Sequence, residues 1–111
     1  MTENQDALGL RQPQPLERLV DYQEGAVVSR VIMKQDKGNV TLFAFAAGQE
    51  LSENTAPFDA LVQVLEGEGR ISIGAEEYKV RAGEALVMPA HIPHALFAVQ
   101  AFKMLLTMIR A

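Results

Sequence analysis

Apolar and β-branched residues occur in short runs from residue 27 to the end of the chain, and turn-forming residues separate these runs. Glycine favours a turn because it adopts positive φ, while asparagine and aspartate bond their own backbone. Short runs at this spacing are typical of a β-sandwich or barrel. The break at residues 67–69 predicts a hairpin turn, and residues 16–20 predict one helical turn. Strands are predicted at residues 27–33, 40–46, 61–66, 70–73, 77–80, 85–88, 95–99 and 102–109.

Two of the runs, at residues 40–46 and 104–109, are apolar at nearly every position. A strand with one solvated face alternates apolar and polar residues, so a continuous apolar strand needs cover on both faces. The interior of one small barrel covers only one face. We therefore expect a homodimer, in which a second copy covers the outer face. The alternative is that the N-terminal segment folds over that face.

The 111 residues correspond to one domain. We expect a polar N-terminal arm at residues 1–24 and a barrel at residues 25–111. Acidic residues number 14 against 10 basic ones, which argues against a nucleic-acid partner because such proteins carry a basic patch. No apolar stretch approaches the roughly 20 residues of a membrane span, so no membrane partner is expected. The lack of cysteine and of a signal-peptide pattern predicts a cytoplasmic protein.

Three segments, at residues 48–69, 81–89 and 90–95, resemble the two signature motifs of the cupin superfamily. The second motif spaces a glycine, a proline and a histidine at fixed intervals, and Gly83, Pro89 and His94 match these positions. The first motif places a glutamate seven positions before a glycine, which aligns Ala60 with the glutamate when Gly67 is that glycine. The resemblance implies an all-β jelly-roll barrel, built as a double-stranded antiparallel β-helix.

In metal-binding cupins four motif positions supply three imidazoles and one carboxylate to a divalent metal. The resemblance places these positions at Asn54, Ala56, Ala60 and His94. Zinc, iron and nickel sites need three or four good ligands, and alanine provides none. We therefore expect no tightly bound metal cofactor. The alternative is a weak zinc, nickel or iron site formed by His94, Asn54 and His91, which occupies a glycine position of the motif.

Alanines in place of large ligands open space in the barrel, so the same positions predict a ligand pocket. His94 and Asn54 are expected to orient a small-molecule ligand, because both carry hydrogen-bonding groups. The structural alternatives are a buried neutral His94 bonded to a backbone carbonyl, turn chemistry at Asn54 and a solvent-facing His91. The expected pocket residues are His94, Asn54, Ala56, Ala60, Val62 and Met88.

Three functions remain open from the sequence. The first is the binding of a small molecule in a metal-poor barrel. The second is an enzyme, which would use either the His91, His94 and Asn54 metal centre or metal-free acid–base chemistry at His94. The third is a structural or interaction module whose barrel is filled by side chains. Because one fold supports many functions, the resemblance to cupins does not choose among them.

Overall fold

The computed structural model describes residues 10–111, so residues 1–9 of the expected arm lie outside the described part of the chain. Within that part, one 3₁₀ turn at Leu16–Leu19 precedes nine β-strands. No helix of residues 10–111 is long and apolar enough to cross a membrane. The strands are β1 (Val27–Gln35), β2 (Gly38–Phe45), β3 (Glu50–Asn54), β4 (Phe58–Glu66), β5 (Glu68–Ile73), β6 (Glu76–Arg81), β7 (Ala85–Met88), β8 (His94–Phe97) and β9 (Phe102–Arg110).

The strands form two antiparallel sheets that enclose one core. The larger sheet has the order β1-β2-β9-β4-β7, and the smaller has the order β3-β8-β5-β6. Most neighbours are distant in sequence; β9, for example, lies between β2 and β4. Buried residues from both sheets pack into a single hydrophobic cluster. This arrangement confirms the predicted all-β jelly-roll barrel.

Two local features differ from the sequence prediction. Strand β3 is absent from the predicted set because four of its five residues are exposed and polar, which hides it from a hydrophobic pattern. The predicted hairpin at residues 67–69 is wrong, since β4 belongs to the larger sheet and β5 to the smaller one. The glycine-rich break therefore carries the chain across from one sheet to the other.

This crossing passes directly over Phe102. A Cβ atom on Gly67, which has a φ of +76°, would collide with the carbonyl oxygen of Ala101. A Cβ atom on Gly69 would lie only 2.7 Å from the Phe102 ring. Phe102 itself is fully buried and stacks on Phe45, with ring centroids 4.5 Å apart. Glycine at both positions therefore lets the backbone cross against a large aromatic pair.

The inward-facing residues of β9 show how the core changes along the barrel. Alternate residues of the strand face inward, as expected for a period of two. Their partners in the register become smaller with distance from the crossing. The inward pairs are Phe102 with Phe45, Met104 with Val64, Leu106 with Val62 and Met108 with Ala60. The end of the barrel near Ala60 is therefore less filled than the end near Phe102.

A second, smaller core lies on the outer face of the larger sheet. Leu42 and Ala44 of β2 are buried there beneath Val20, with Leu16 and Leu19 packed alongside. The N-terminal segment thus covers part of this face, as in the alternative to a dimer. Beyond that cover, four large apolar side chains of the face are exposed: Met33, Leu61, Val87 and Ile109.

Two cations attach the N-terminal segment to the sheet. Lys103, only 8% exposed, donates from Nζ to the carbonyl oxygen of Glu17 at 2.6 Å and lies 3.8 Å from Glu66 Oε2. Arg30 donates to the carbonyl oxygen of Leu19 at 2.8 Å. The Tyr22 hydroxyl donates to Glu66 at 2.7 Å. Burial raises the pKa of Tyr22 above its usual range, and the hydrogen bond and charge of Glu66 raise it further.

The contact of Lys103 with Glu17 predicts a large stability effect for one substitution. Lys103→Met keeps the apolar stem but leaves the Glu17 carbonyl without its charged donor. We expect the free energy of unfolding to fall by about 1.5–3 kcal/mol, as for hydrogen bonds to charged groups. Urea denaturation measures the change. The control, Lys79→Met at an exposed position of β6, should change stability by less than about 0.5 kcal/mol. Equal effects of the two substitutions would contradict this role of Lys103.

Candidate functional site

A cavity of about 480 Å³ lies between the two sheets, away from the Phe102 crossing. Its polar lining residues all belong to β3 or β8, which are neighbours in the smaller sheet. Apolar side chains from both sheets form the remaining walls. The lining residues are Leu51, Ser52, Glu53, Asn54, Ala56, Phe58, Ala60, Met88, His94, Leu96, Met104, Leu106 and Met108.

The four motif positions inferred from the resemblance all line this cavity. Asn54 and His94 are direct partners in the ladder between β3 and β8. Ala60 lies on β4 in the facing sheet, and Ala56 lies in the loop that joins β3 to β4. The strand register therefore places these four positions around one cavity. Among them, His94 alone is a good ligand for a transition metal.

His94 is half-buried at the start of β8 and is the one imidazole in the lining. Its Nδ1 atom is shielded from solvent and has no hydrogen-bond partner within residues 10–111. The structural alternative was a buried neutral histidine with one nitrogen bonded to a backbone carbonyl, and Nδ1 makes no such bond within residues 10–111. Leaving a buried polar atom unsatisfied costs about 1–3 kcal/mol. No protein hydrogen bond at Nδ1 fixes the orientation of this ring.

His91 lies outside the cavity, in the exposed loop between β7 and β8. Its φ of 67° is in the left-handed region that favours glycine, which agrees with the glycine position assigned to it by the motif. Its backbone N–H donates to the carbonyl oxygen of Ala56 at 2.9 Å. The alternative metal site of His91, His94 and Asn54 would therefore draw on residues that do not all line one cavity. In the described part of the chain no group of three histidines or carboxylates could hold a metal ion.

Val62 is the one expected pocket residue that does not line the cavity. It is fully buried one inward position closer to the Phe102 end than Ala60. Its register partners are Leu86 and Leu106, whose side chains close the space around it. Sequence spacing places Val62 on the inward face correctly, but only packing shows where the filled part of the core ends.

Several lining residues are missed by reasoning from the sequence. For those on β4 and β9, the signal that could identify them is the inward alternation along each strand. On β9 that signal is obscured, because residues on both faces of this strand are apolar. The lining residues outside the expected pocket set are Leu51, Ser52, Glu53, Phe58, Leu96, Met104, Leu106 and Met108.

Hydrogen bonds fix the rim of the cavity. Asp59 Oδ1 accepts from the backbone N–H of Ala90 at 2.9 Å, next to the bond between His91 and Ala56. These two contacts tie the loop between β7 and β8 to the start of β4 and the loop before it. Among residues 10–111, Glu53 is the one carboxylate in the lining, and no lysine or arginine belongs to it. An anionic ligand would therefore meet the Glu53 carboxylate and no lysine or arginine of the described lining.

Comparison with known proteins gives a match to the Cupin domain family over residues 41–109. A protein of unknown function from Streptococcus pyogenes is similar in structure, with a TM-score of 0.87 and 37% identity, covering 90% of this chain and 88% of that chain. A cupin superfamily protein from Desulfitobacterium hafniense has a TM-score of 0.86 and 31% identity, covering 90% of this chain and 92% of the other.

A curated relative matches over a shorter segment. Mannose-6-phosphate isomerase from Streptococcus mutans is 44% identical over 43 residues, which are 39% of this chain. The match spans only 13% of the length of that isomerase. A predicted oxalate decarboxylase from Thermotoga maritima, at 13% identity and a TM-score of 0.72 over 77% of this chain and 81% of that one, shares the fold alone.

The convergence of the motif positions predicts that a metal site can be restored. The triple variant Asn54→His, Ala56→His, Ala60→Glu supplies three ligands beside His94, and four such ligands hold zinc or nickel tightly. We expect about one bound metal per chain in this variant after dialysis, measured by mass spectrometry, and no stoichiometric metal in the parent protein. Adding His94→Ala to the triple variant should weaken retention. A folded triple variant that binds no metal would contradict the convergence of these positions.

Proposed function

Because the chain belongs to the cupin superfamily, we propose that its barrel binds a small, partly apolar molecule beside His94 and Asn54, without a tightly bound metal. The observation that carries this proposal is the cavity of about 480 Å³ at the motif positions. Its volume lies in the range of small-molecule sites, which are mostly apolar with a few convergent polar groups. The small side chains of Ala56 and Ala60 occupy positions where metal-binding relatives carry large ligands.

The polar groups of the cavity favour a role in ligand binding over a role in the stability of the fold. His94 places an imidazole in the lining, and no hydrogen bond at its shielded Nδ1 within residues 10–111 holds this ring in place. Asn54, its strand partner, offers a donor and an acceptor on the same wall. A barrel filled by side chains, the third function considered above, would leave no cavity of this size.

The chemistry of the lining argues against a sugar phosphate as the ligand. The curated relative is an isomerase of mannose 6-phosphate. A phosphate buried in a protein requires cations or several N–H donors. No lysine or arginine lines the cavity within residues 10–111, and Glu53 would repel an anion. The brief similarity to that isomerase therefore does not extend to its substrate.

Metal-free acid–base catalysis is the second candidate. Glu53 and His94 line the same cavity, so a carboxylate and an imidazole are both available to an occupant. General acid–base catalysis needs both groups within hydrogen-bond reach of the reacting atoms. Turnover of a bound molecule that is abolished by Glu53→Gln as well as by His94→Ala would favour this candidate over binding alone.

The role of His94 predicts different effects for the two histidines. Uncharged ring alcohols, ketones and phenols can be screened by ligand-detected NMR and titrated by calorimetry. We expect His94→Ala to lower the affinity for the molecules that bind in this screen about five-fold to ten-fold, since one hydrogen bond is lost. His91→Ala, outside the cavity, should leave their affinity unchanged. Stoichiometric zinc, nickel or iron in the parent protein, lost on either substitution, would contradict the metal-poor proposal.

We also propose that the protein forms a homodimer through the outer face of the larger sheet. One row of register partners crosses all five strands of this sheet: Met33, Val40, Thr107, Leu61 and Val87. None of these residues is charged, and Ile109 lies in the adjacent row. A second copy is the occupant proposed because this row carries no charged side chain and lies next to the part of the face covered by residues 16–20.

The proposed dimer predicts an assembly that a single charge disrupts. Light scattering at micromolar concentration should give twice the chain mass, and a specific interface should bury about 800 Å² per partner or more. Leu61→Lys, at the centre of the row, should shift the protein to monomer. The matched control is Tyr78→Lys, an exposed aromatic of β6 in the other sheet, which should leave the dimer intact. A monomeric parent protein would contradict the proposal.

A further inference from the structure

Methionines are concentrated in one wall of the cavity. The chain contains five methionines, and Met88, Met104 and Met108 line this space. Ala60 pairs with Met88 of β7 on one side and with Met108 of β9 on the other. The methyl group of Ala60 therefore forms the floor of a slot whose two sides are thioether side chains.

The dimensions of this slot suit a flat ring. Met88 and Met108 are two strands apart, which separates their Cα atoms by about 9.5 Å. The alanine between them contributes almost no height. A thioether is polarizable and makes favourable contacts with the edge of an aromatic ring, and its three rotatable bonds let it adjust to the ring. Leucine has similar volume but lacks the sulfur.

The facing wall is polar at two adjacent points. His94 and Asn54 are cross-strand partners on β8 and β3, across the barrel from Ala60. Both residues line the cavity, and their imidazole and amide groups can form hydrogen bonds. A molecule that contacts both walls therefore needs a hydrogen-bonding group at one end and an apolar body at the other.

The charges at the cavity further limit the chemical class of the ligand. Glu53, at the exposed end of β3, is the one charged side chain among the described lining residues. Arg110 stacks over the Phe58 ring, 5.3 Å from its centroid, but does not line the cavity. An anionic group would meet this carboxylate with no lysine or arginine of the described lining to pair with it, which is costly in a partly buried site.

We propose that the ligand is an uncharged aromatic ring with one hydrogen-bonding substituent, such as a phenol. The ring lies between Met88 and Met108 over Ala60, and the substituent bonds to His94 or Asn54. Met88 and Met108 are then specificity-determining residues, which select an aromatic ring over a saturated ring of the same size. This inference rests on the proposed function, because it names the ligand class of the same cavity.

Four probes of similar size test the inference by calorimetry or NMR titration: p-cresol, 4-methylcyclohexanol, 4-methylbenzoate and toluene. We expect p-cresol to bind about five-fold tighter than 4-methylcyclohexanol, the gain expected from sulfur–aromatic contacts. Toluene, which lacks the substituent, should bind about five-fold more weakly than p-cresol. The carboxylate should bind weakest of the four, because it meets Glu53 and no lysine or arginine of the described lining.

The double variant Met88→Leu, Met108→Leu separates the sulfur from the shape of the pocket. In this variant the affinity for p-cresol should fall to that for 4-methylcyclohexanol, while the affinity for 4-methylcyclohexanol should stay unchanged. The matched control is Met33→Leu, on the outer face of the larger sheet, which should change neither. Thermal unfolding shows whether each variant is folded, and Met88→Leu and Met108→Leu alone provide milder changes.

The outcomes distinguish this inference from the function on which it rests. Equal affinity of the parent protein for p-cresol and 4-methylcyclohexanol would overturn the aromatic preference but support binding in the cavity. Preserved preference in the folded double variant would overturn the role of the two methionines. Failure of all four probes to bind at millimolar concentration would contradict the proposed function itself.

Discussion

The packing of Phe102 sets the geometry of the barrel. Its ring stacks on Phe45 inside the core, and the chain crosses between the sheets directly above it at Gly67 and Gly69. The two sheets are therefore closed at this end, where no further side chain fits. At the other end the inward pair is Met108 and Ala60, which fill less volume, so the interior stays open there. The candidate site lies at the open end because Phe102 and Phe45 fill the opposite end.

The barrel brings its motif positions together whatever residues occupy them. Asn54 and His94 face each other because β3 and β8 are hydrogen-bonded neighbours, and Ala60 faces them from the other sheet. Replacing metal ligands by asparagine and alanine therefore does not disperse the site. It changes the site from one that could hold a cation into a mainly apolar space with one imidazole and one amide. The proposed small-molecule site is the chemical consequence of that exchange.

Two parts of the outer face of the larger sheet differ in how they are covered. Residues 16–20 cover one part, and buried Lys103 and half-buried Arg30 bind the backbone of that segment. The row from Met33 to Val87 has no such cover within residues 10–111. The continuous apolar pattern of β2 and β9 thus has two explanations on one face. Local chain covers the region around Leu42, and the proposed second copy covers the rest.

The sequence alone determined the strand runs, the barrel class and the motif positions, since these depend on local alternation, turn residues and fixed spacing. Strand β3 was missed because its burial is slight, and the hairpin at residues 67–69 was wrongly predicted because glycine marks a turn without showing which strands pair. Only the tertiary structure decided that His91 lies outside the cavity and that Met88 and Met108 flank Ala60. Sheet pairing joins residues far apart in sequence. When both faces of a strand are apolar, the residues that point inward can be identified only once the partner strands are known.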